Sequence, residues 1–153
     1  MEEKELMVAA IENGTVIDHI PNAKLFEVVR LLRLDEVGSS STIMVGFNLK
    51  SRKMGHKSII KISNRIFTDA ELNKLAVVTP NVTLSIIKNF HVTEKKQVAL
   101  PGELVGVVKC GNPMCISNNE PMKTRFHVVE GGGRKIRCDY CEKEQDLDHV
   151  KLL

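Results

Sequence analysis

The chain has 153 residues, of which 42% are apolar and 27% are charged, which is a globular composition sufficient for one medium domain or two small ones. It excludes collagen, low-complexity chains and wholesale disorder. The net charge of +3 is too small to favour a general nucleic-acid binder, which usually carries a strongly basic stripe. No apolar run approaches the roughly 20 residues that cross a bilayer. Because the acidic start at residues 1–5 also lacks the features of a secretory signal, we expect a cytoplasmic protein with no membrane partner.

The first hundred residues show the patterns of alternating strands and helices. Residues 15–20 form a β-rich segment that ends at Pro21, and Asn22 is a plausible N-cap for a helix. The buried face of that helix is predicted from apolar residues at the i, i+3, i+4, i+7 spacing: Leu25, Val28, Val29 and Leu32.

Two further strands are predicted at residues 42–49 and 58–62. Thr68 and Glu71 then form a capping box, in which each side chain satisfies a backbone donor at the start of a second helix. Pro80 ends this helix, because proline cannot continue the hydrogen-bonding pattern.

Residues 82–92 return as a final strand, with a possible break at residues 88–89. When the short apolar run at residues 6–11 is set aside, the order of elements is βαββαβ. That order predicts an α+β fold of the ferredoxin-like type, in which both helices cover one face of an antiparallel sheet.

Residues 94–101 are charged and lack periodicity, as is typical of a linker, so we divide the chain into residues 1–100 and 101–153. The second region contains short apolar strands and no helical period, which predicts a small antiparallel β domain. A region of this size cannot bury a large core and usually needs a staple.

All cysteines of the chain lie in the second region: Cys110, Cys115, Cys138 and Cys141. Each pair stands in a turn-forming sequence and can form a knuckle that directs two thiolates at one point. In a reducing compartment such pairs are typical of metal ligands, and four thiolates favour one closed, structural Zn²⁺ site per chain. Iron in a rubredoxin-like site, disulfides and unligated cysteines are the alternatives.

The sequence gives little support for an enzyme. It contains no nucleophile elbow, Walker loop or dinucleotide-binding fingerprint, and the five histidines lack metal-ligand spacing. Asp18 and His19 are adjacent on a strand, so they line one pocket only if the strand ends or bulges there. Lys57, Lys61 and Lys95 could together neutralise a triphosphate. A structural Asp–His pair and a solvated lysine face are the alternatives.

Several short stretches stand in a specific order and spacing: residues 14–21 (GTVIDHIP), 54–57 (MGHK), 60–62 (IKI), 110–115 (CxNxxC), 119–121 (NEP) and 138–142 (CxYCE). Together they resemble the regulatory chains of aspartate carbamoyltransferase, and the resemblance extends from Leu6 to the C-terminus. It implies a non-catalytic subunit of pyrimidine biosynthesis with two domains. The N-terminal domain would bind ATP and CTP at one site, and the C-terminal zinc domain would dock on the catalytic chain.

The resemblance also implies roles for individual residues. Asp18 and His19 would contact the nucleotide, and Lys61 and Lys95 would meet its ribose and phosphates. The remaining nucleotide-site positions are Val8, Ala10 and Ile11 beside the base, with Lys57 and Val92 lining the site. Asn112 and Glu142 would contact the catalytic chain.

Some positions depart from the family pattern or leave its alignment open. Ser85 and Phe90 stand where family members can carry an amide and a tyrosine, which bears on nucleotide preference. Lys96 follows Lys95, and a shift of one residue would exchange their roles.

The resemblance implies a homodimer, formed through the N-terminal domains, within a larger hetero-oligomer. The competing hypotheses are a zinc-ribbon nucleic-acid-binding protein and a small nucleotide-acting enzyme of ferredoxin-like fold. The balanced charge of residues 101–153, with eight Lys/Arg and eight Asp/Glu, argues against a nucleic-acid partner.

Overall fold

The structure is a computed structural model that describes residues 9–36, 41–131 and 133–153. Val8 and the first part of the apolar run at residues 6–11 lie outside the described residues. None of the helices within those ranges has the length and apolar character needed to cross a lipid bilayer.

The N-terminal part of the chain forms a five-stranded antiparallel sheet. Its strands are β1 (Gly14–Ile20), β2 (Ile43–Ser51), β3 (Gly55–Ser63), β4 (Thr83–Lys88) and β5 (His91–Gln97). They lie in the order β2–β3–β1–β4–β5, and every neighbouring pair is antiparallel. The first four strands therefore have the predicted ferredoxin-like arrangement, with β5 added at one edge.

Two helices, α1 (Leu25–Leu31) and α2 (Asp69–Val78), cover one face of this sheet. The core between helices and sheet is apolar and almost fully buried: Ile17, Leu25, Val28, Leu32, Ile60, Ile62, Leu75, Ala76 and Leu84. The inward-facing positions predicted for the first helix are confirmed, with Val29 only partly buried. The capping box of Thr68 and Glu71 is confirmed at the start of α2.

The expected N-cap at Asn22 is wrong. Residues Asn22–Lys24 form a short 3-10 helix, and Asn22 makes no capping hydrogen bond. Its side chain instead accepts a hydrogen bond from Ser58 Oγ at 2.7 Å and exchanges two with Asn48. Pro21 leads the chain directly into the 3-10 turn, and the Asn22 amide bonds to residues of β2 and β3 instead of capping a helix.

The predicted strand at residues 82–92 is two strands joined by a tight hairpin. Asn89 and Phe90 both adopt positive φ values, 51° and 65°, which is the conformation of a two-residue type I′ turn. As a result, residues 94–97 belong to β5 rather than to a connection between domains.

The C-terminal part contains two small antiparallel sheets. Strands β6 (Glu103–Val105), β8 (Arg125–Val128), β9 (Lys135–Cys138) and β10 (Glu144–Asp146) form one sheet, in the order β10–β9–β8–β6. Strands β7 (Val108–Lys109) and β11 (Lys151–Leu152) form the other. Their core combines Leu104, Val108, Phe126 and Ile136 with the cysteines. The expected α+β class, with a small antiparallel β domain at the C-terminus, is confirmed.

The two cores meet at the end of α2. Val77 belongs to the C-terminal core, and Leu100 and Leu152 pack against both cores. Arg134 Nη2 donates a hydrogen bond of 2.6 Å to the Val77 carbonyl, and its Nε is 3.0 Å from Asp148 Oδ1. The contact between the domains is therefore both apolar and hydrogen-bonded.

Candidate functional site

The four cysteines converge on one point. The sulfurs of Cys110 and Cys141 are 3.7 Å apart, as are those of Cys115 and Cys138, and all four lie within 4.8 Å of one another. A tetrahedral ion with metal–sulfur bonds of about 2.3 Å requires sulfurs about 3.8 Å apart. No two of these sulfurs are bonded to each other, and the arrangement fits a single four-coordinate metal ion.

Backbone hydrogen bonds hold each cysteine pair in a turn. In the first turn the Cys115 amide donates to the Asn112 carbonyl at 3.0 Å. In the second, the Glu142 amide donates to the Cys138 carbonyl at 2.9 Å, and the Cys138 amide donates to the Lys143 carbonyl at 3.0 Å. Glu142, directly after Cys141, has a positive φ of 63°, and it turns the chain back toward Lys143 once the second ligand is in place. Both knuckles predicted from the cysteine spacing are present.

The thiols differ in how readily they ionise. Burial raises the pKa of Cys110 to about 12 and also raises the pKa of Cys138. Burial acts in the same direction on Cys141, but hydrogen bonds from the Lys143 amide, the Asn112 side chain and neighbouring thiols lower its pKa to about 7. Of these three thiols, Cys141 therefore offers a thiolate most readily, while Cys110 needs a nearby cation to ionise at neutral pH.

The two predicted partner-contact residues lie in these knuckles. Asn112 accepts a hydrogen bond from the Met114 amide at 3.1 Å and also supports Cys141 from outside the ligand set. The Glu142 side chain is exposed, and Met114 between the first two cysteines is 86% exposed. Polar and apolar groups around the cysteines thus face outward, where a partner could contact them.

On the other domain, a row of side chains crosses the sheet face that the helices leave uncovered. The strand register pairs Lys61 with Val16, Val16 with Ser85, and Ser85 with Lys95. Directly opposed residues project from the same face of a sheet, whereas the neighbouring row, which contains Ile17, points into the helix-covered core. Lys61 and Lys95 consequently share the uncovered face, called the open face below.

The same register separates Lys95 from Lys96. Lys96 pairs with Leu84, which is 2% exposed and belongs to the helix-covered core. Successive residues of a strand point to opposite faces. Of these two lysines, Lys95 is therefore the one that lies on the face of Lys61.

A bulge brings Asp18 and His19 to the same side of β1. Strand β1 has one residue more than β3 between Ile17 and Ile20, and His19 adopts a positive φ of 62°. Such a bulge redirects a side chain that strict alternation would turn away. The sequence analysis required the strand to end or bulge here if Asp18 and His19 were to line one pocket, and the bulge is present.

Each member of this pair has a polar partner. Asp18 forms an ion pair with Lys57, with Nζ–Oδ1 at 2.8 Å. His19 Nδ1 lies 3.0 Å from Thr83 Oγ1, and Thr83 is also directly opposite Asp18 in the β1–β4 register. Sequence reasoning missed Thr83, because a threonine at the start of a strand carries no distinguishing signal.

The charges of the open face act on His19. Burial lowers the pKa of His19, the Asp18 carboxylate opposes that effect, and the ammonium groups of Lys57, Lys53 and Lys95 lower it further. The residues thus lie close enough to influence one another electrostatically. His19 is neutral at pH 7 in this setting, with its Nδ1 engaged by Thr83.

Lys61 connects the open face to the segment before β1. Its Nζ donates a hydrogen bond of 2.9 Å to the Ala9 carbonyl. Burial among the strand residues lowers the pKa of Lys61, while the Asp18 carboxylate acts in the opposite direction. The lysine between the isoleucines of β3 is therefore turned toward the open face and not into the core.

The structure also locates the other positions implied by the resemblance. Ala10 is exposed and Ile11 is 7% exposed, in the segment that Lys61 contacts, whereas Val8 lies outside the described residues. Val92 is 58% exposed on β5, and Phe90 is 63% exposed in the β4–β5 turn. Their side chains are available at the edge of the sheet, but their roles stay predictions.

Comparison with known proteins agrees with this arrangement in both domains. Residues 6–99 match the family described as the aspartate carbamoyltransferase regulatory chain, allosteric domain, and residues 102–151 match that of its metal binding domain. Among curated proteins, the chain is 55% identical to the aspartate carbamoyltransferase regulatory chain of Phocaeicola vulgatus, over 99% of this chain and 96% of that relative.

Two further relatives carry the same name. The Porphyromonas gingivalis protein is 51% identical over the full length of both chains. The Pyrococcus abyssi protein is 40% identical over 95% of this chain and 96% of the relative. These relatives are named as regulatory chains and not as catalytic chains. On these grounds the chain belongs to the family of aspartate carbamoyltransferase regulatory chains.

Proposed function

We propose that this regulatory chain binds ATP and CTP in competition on the open face of its N-terminal domain and thereby modulates the catalytic chains in pyrimidine biosynthesis. The observation that carries the proposal is the placement of Lys61 and Lys95 on one uncovered sheet face, together with Asp18 and His19. A nucleotide shifts activity only if it binds two states of the assembly unequally.

The chemistry of the open face suits a nucleoside triphosphate. Lys61 and Lys95 provide ammonium groups for the ribose and phosphates, and charge-assisted hydrogen bonds of this type are the strong ones. Lys57 is held by Asp18 at 2.8 Å, so an incoming phosphate competes with the carboxylate for the same ammonium group. The segment at Ala10 and Ile11 offers apolar contacts for the base.

The metal in the C-terminal domain is proposed to be a single structural Zn²⁺. Its four ligands are the sulfurs of Cys110, Cys115, Cys138 and Cys141, which meet the spacing of a tetrahedral site. Four protein ligands leave no open position for water or substrate. The ion would therefore stabilise the small domain rather than catalyse a reaction.

The proposed assembly uses a different surface of each domain. The C-terminal domain docks on the catalytic chain, with Asn112 and Glu142 at the contact. The N-terminal domain pairs with a second regulatory chain. Support for that pairing comes from β2, which is an edge strand with Val45 and Phe47 about half exposed, at 46% and 54%. An unpaired edge with apolar side chains is a surface that proteins normally cover. Cytoplasmic localisation is part of the same proposal, since the cysteines must stay reduced.

Calorimetric titration of the chain with ATP and CTP tests the nucleotide site. We expect Lys95→Met to weaken both nucleotides by roughly tenfold or more, since a charge-assisted contact is worth ~1.5–3 kcal/mol. Lys96→Met is the matched control, because it removes an adjacent lysine from the opposite face and leaves binding unchanged. Equal losses in the two variants, or no competition between ATP and CTP, would contradict the assignment.

A further inference from the structure

A polar cavity lies in the C-terminal domain, away from the open face. It has a volume of about 440 Å³ and borders the first cysteine turn. The residues that give it chemical character are Lys109, Gly111, Asn118, Gln145, His149 and Lys151. No Asp or Glu is among the described residues that line it, but Cys110, one of the proposed metal ligands, is, so the two lysines of the cavity lie beside the metal–thiolate centre.

The position of the two lysines is unusual for a surface ladder. Lys109 of β7 and Lys151 of β11 are directly opposite in the antiparallel register, so their side chains leave the same face at close range. Like charges in directly opposed positions destabilise a strand pair. The carboxylates of Glu144 and Asp148 are already engaged by Arg137 and Arg134.

Within the described ranges, neither Lys109 nor Lys151 has an ion-pair partner. A two-residue ladder is too short to gain much from its own hydrogen bonds. The paired ammonium groups therefore require nearby negative charge, either from the metal–thiolate centre at Cys110 or from a bound anion.

Amide groups complete the polar lining. Gln145 Oε1 accepts a hydrogen bond from the Gly111 amide at 3.0 Å, which fixes the side chain and leaves its Nε2 as a donor. A Cβ at Gly111 would lie only 2.9 Å from that Nε2, so the glycine allows the close approach. The Asn118 side-chain amide already donates to the carbonyls of Cys110 and Asn112. It therefore lines the cavity without a donor left for a ligand.

We propose that this cavity binds a phosphate group, either as inorganic phosphate or as a phosphomonoester. Two ammonium groups match the two negative charges of a phosphate, whereas one carboxylate would leave one lysine uncompensated. Gln145 Nε2 and the His149 ring supply further donors to the remaining oxygens. A phosphate fills only a part of the cavity, which leaves room for an organic substituent. The site is separate from the nucleotide face, because it lies in the other domain.

The test is a phosphate titration of the full, metal-loaded chain. Binding is monitored through the NMR signals of the Gly111 amide and the Gln145 side-chain amide. These signals report the cavity and not the nucleotide face. We expect saturable shifts with inorganic phosphate or phenyl phosphate, and none with potassium chloride at equal ionic strength. Tighter binding of phenyl phosphate would identify a phosphomonoester as the ligand class, and tighter binding of inorganic phosphate would identify the free ion.

Variants distinguish a binding site from simple charge balance at the metal. The double substitution Lys109→Met with Lys151→Met should weaken phosphate by about tenfold or more, whereas Lys123→Met, a lysine outside the cavity, should not. Should the double variant lose its metal, Lys151→Gln alone serves, since Lys151 is not adjacent in sequence to a ligand. Shifts that chloride reproduces, or phosphate affinity that is unchanged when both lysines are removed, would overturn the proposal and assign the lysines to balancing the metal–thiolate charge.

Discussion

The side chain of Lys61 lies between two chemical environments. Its strand is rich in isoleucine, yet its ammonium group reaches the Ala9 carbonyl on the open face. Burial lowers its pKa, which means that the ammonium form is incompletely solvated there. A bound polyanion would compensate such a charge better than water does.

We therefore expect Lys61→Ala to weaken both ATP and CTP by roughly ten- to a hundredfold, since a charge-assisted contact contributes ~1.5–3 kcal/mol. Metal content and association with the catalytic chain should stay unchanged, because they belong to the other domain. Calorimetric titration of the variant measures the effect. Wild-type affinity in a folded Lys61→Ala chain would show that this lysine is only a surface charge.

His19 would give the proposed nucleotide site a pH dependence with a defined sign. Its pKa is below the ordinary value, through burial and then through Lys57, Lys53 and Lys95, with Asp18 opposing. Bound phosphates would offset the lysine charges and raise that pKa. Nucleotide affinity should then increase as the pH falls through the range between the bound and free pKa values, with proton uptake on binding. Titrations in buffers of different ionisation enthalpy measure the uptake, and His19→Gln should abolish it.

For single residues, the sequence indicated which side chains are candidates for the site but not which face of the sheet each one occupies. It identified Asp18, His19 and the lysines as candidates through a resemblance, but it could not decide between Lys95 and Lys96. That decision depends on the β4–β5 register, which a bulge shifts between Ile86 and Ile87. Thr83 could not be predicted either, since its partner His19 is 64 residues away in the chain.

Among the elements, β1 depends on its first residue. Gly14 has a φ of +142°, and a Cβ at this position would lie 2.1 Å from the Ile62 carbonyl oxygen and 2.9 Å from the Ser63 Cα. These are backbone atoms of the neighbouring strand, so no side-chain rotation relieves the contact. Only glycine permits β1 and β3 to approach each other here.

Gly14→Ala should therefore reduce the free energy of unfolding by more than the ~1–3 kcal/mol that backbone strain alone costs. Gly55→Ala is the matched control, since Gly55 also has a positive φ, +80°, but no atom lies within 4 Å of an added Cβ. Urea unfolding measures the free energy of unfolding of both variants. The difference between them separates the cost of backbone strain from the cost of the steric clash with β3. Equal destabilisation would mean that contact with β3 does not matter.

Local sequence signals predicted the elements where short-range chemistry decides the structure. The capping box at Thr68 and Glu71 is one such case. Asn22 was mispredicted because its amide finds partners on Ser58 and Asn48, which are distant in sequence. The β4–β5 hairpin was foreseen only as a possible break, because Asn89 and Phe90 lack the glycine that usually marks a type I′ turn.

For the whole molecule, the metal centre is the first condition of assembly. The C-terminal domain has a small core that includes the cysteines themselves, so metal binding is expected to supply folding free energy. Cys138→Ala should unfold residues 102–153, release the ion and abolish association with the catalytic chain. Metal analysis and size-exclusion chromatography with the catalytic chain measure these losses. A folded native sample without zinc would contradict the assignment of the metal.

The contact between the domains is the second condition, and Arg134 is its main polar element. Its guanidinium donates to the Val77 carbonyl at the C-terminal end of α2 and pairs with Asp148. A cation at this end of a helix is favourable, because the last carbonyls of the helix lack intrahelical partners. No sequence pattern predicts this contact, since the two residues are 57 positions apart. Through it, a shift of the helix layer behind the open face would reach the C-terminal domain.

Arg134→Met should consequently uncouple the domains without damaging either site. Nucleotide affinity of the chain and its metal content should stay at wild-type values, while the effect of ATP and CTP on the assembled enzyme should fall by at least about half of a coupling free energy that is typically ~1–3 kcal/mol. The measurement is the aspartate saturation curve with and without each nucleotide. Asp148→Asn is the control, because it removes the ion pair and keeps the hydrogen bond to Val77, so it should retain most of the response. A full nucleotide response in Arg134→Met would place the coupling in the apolar contacts of Leu100 and Leu152 instead.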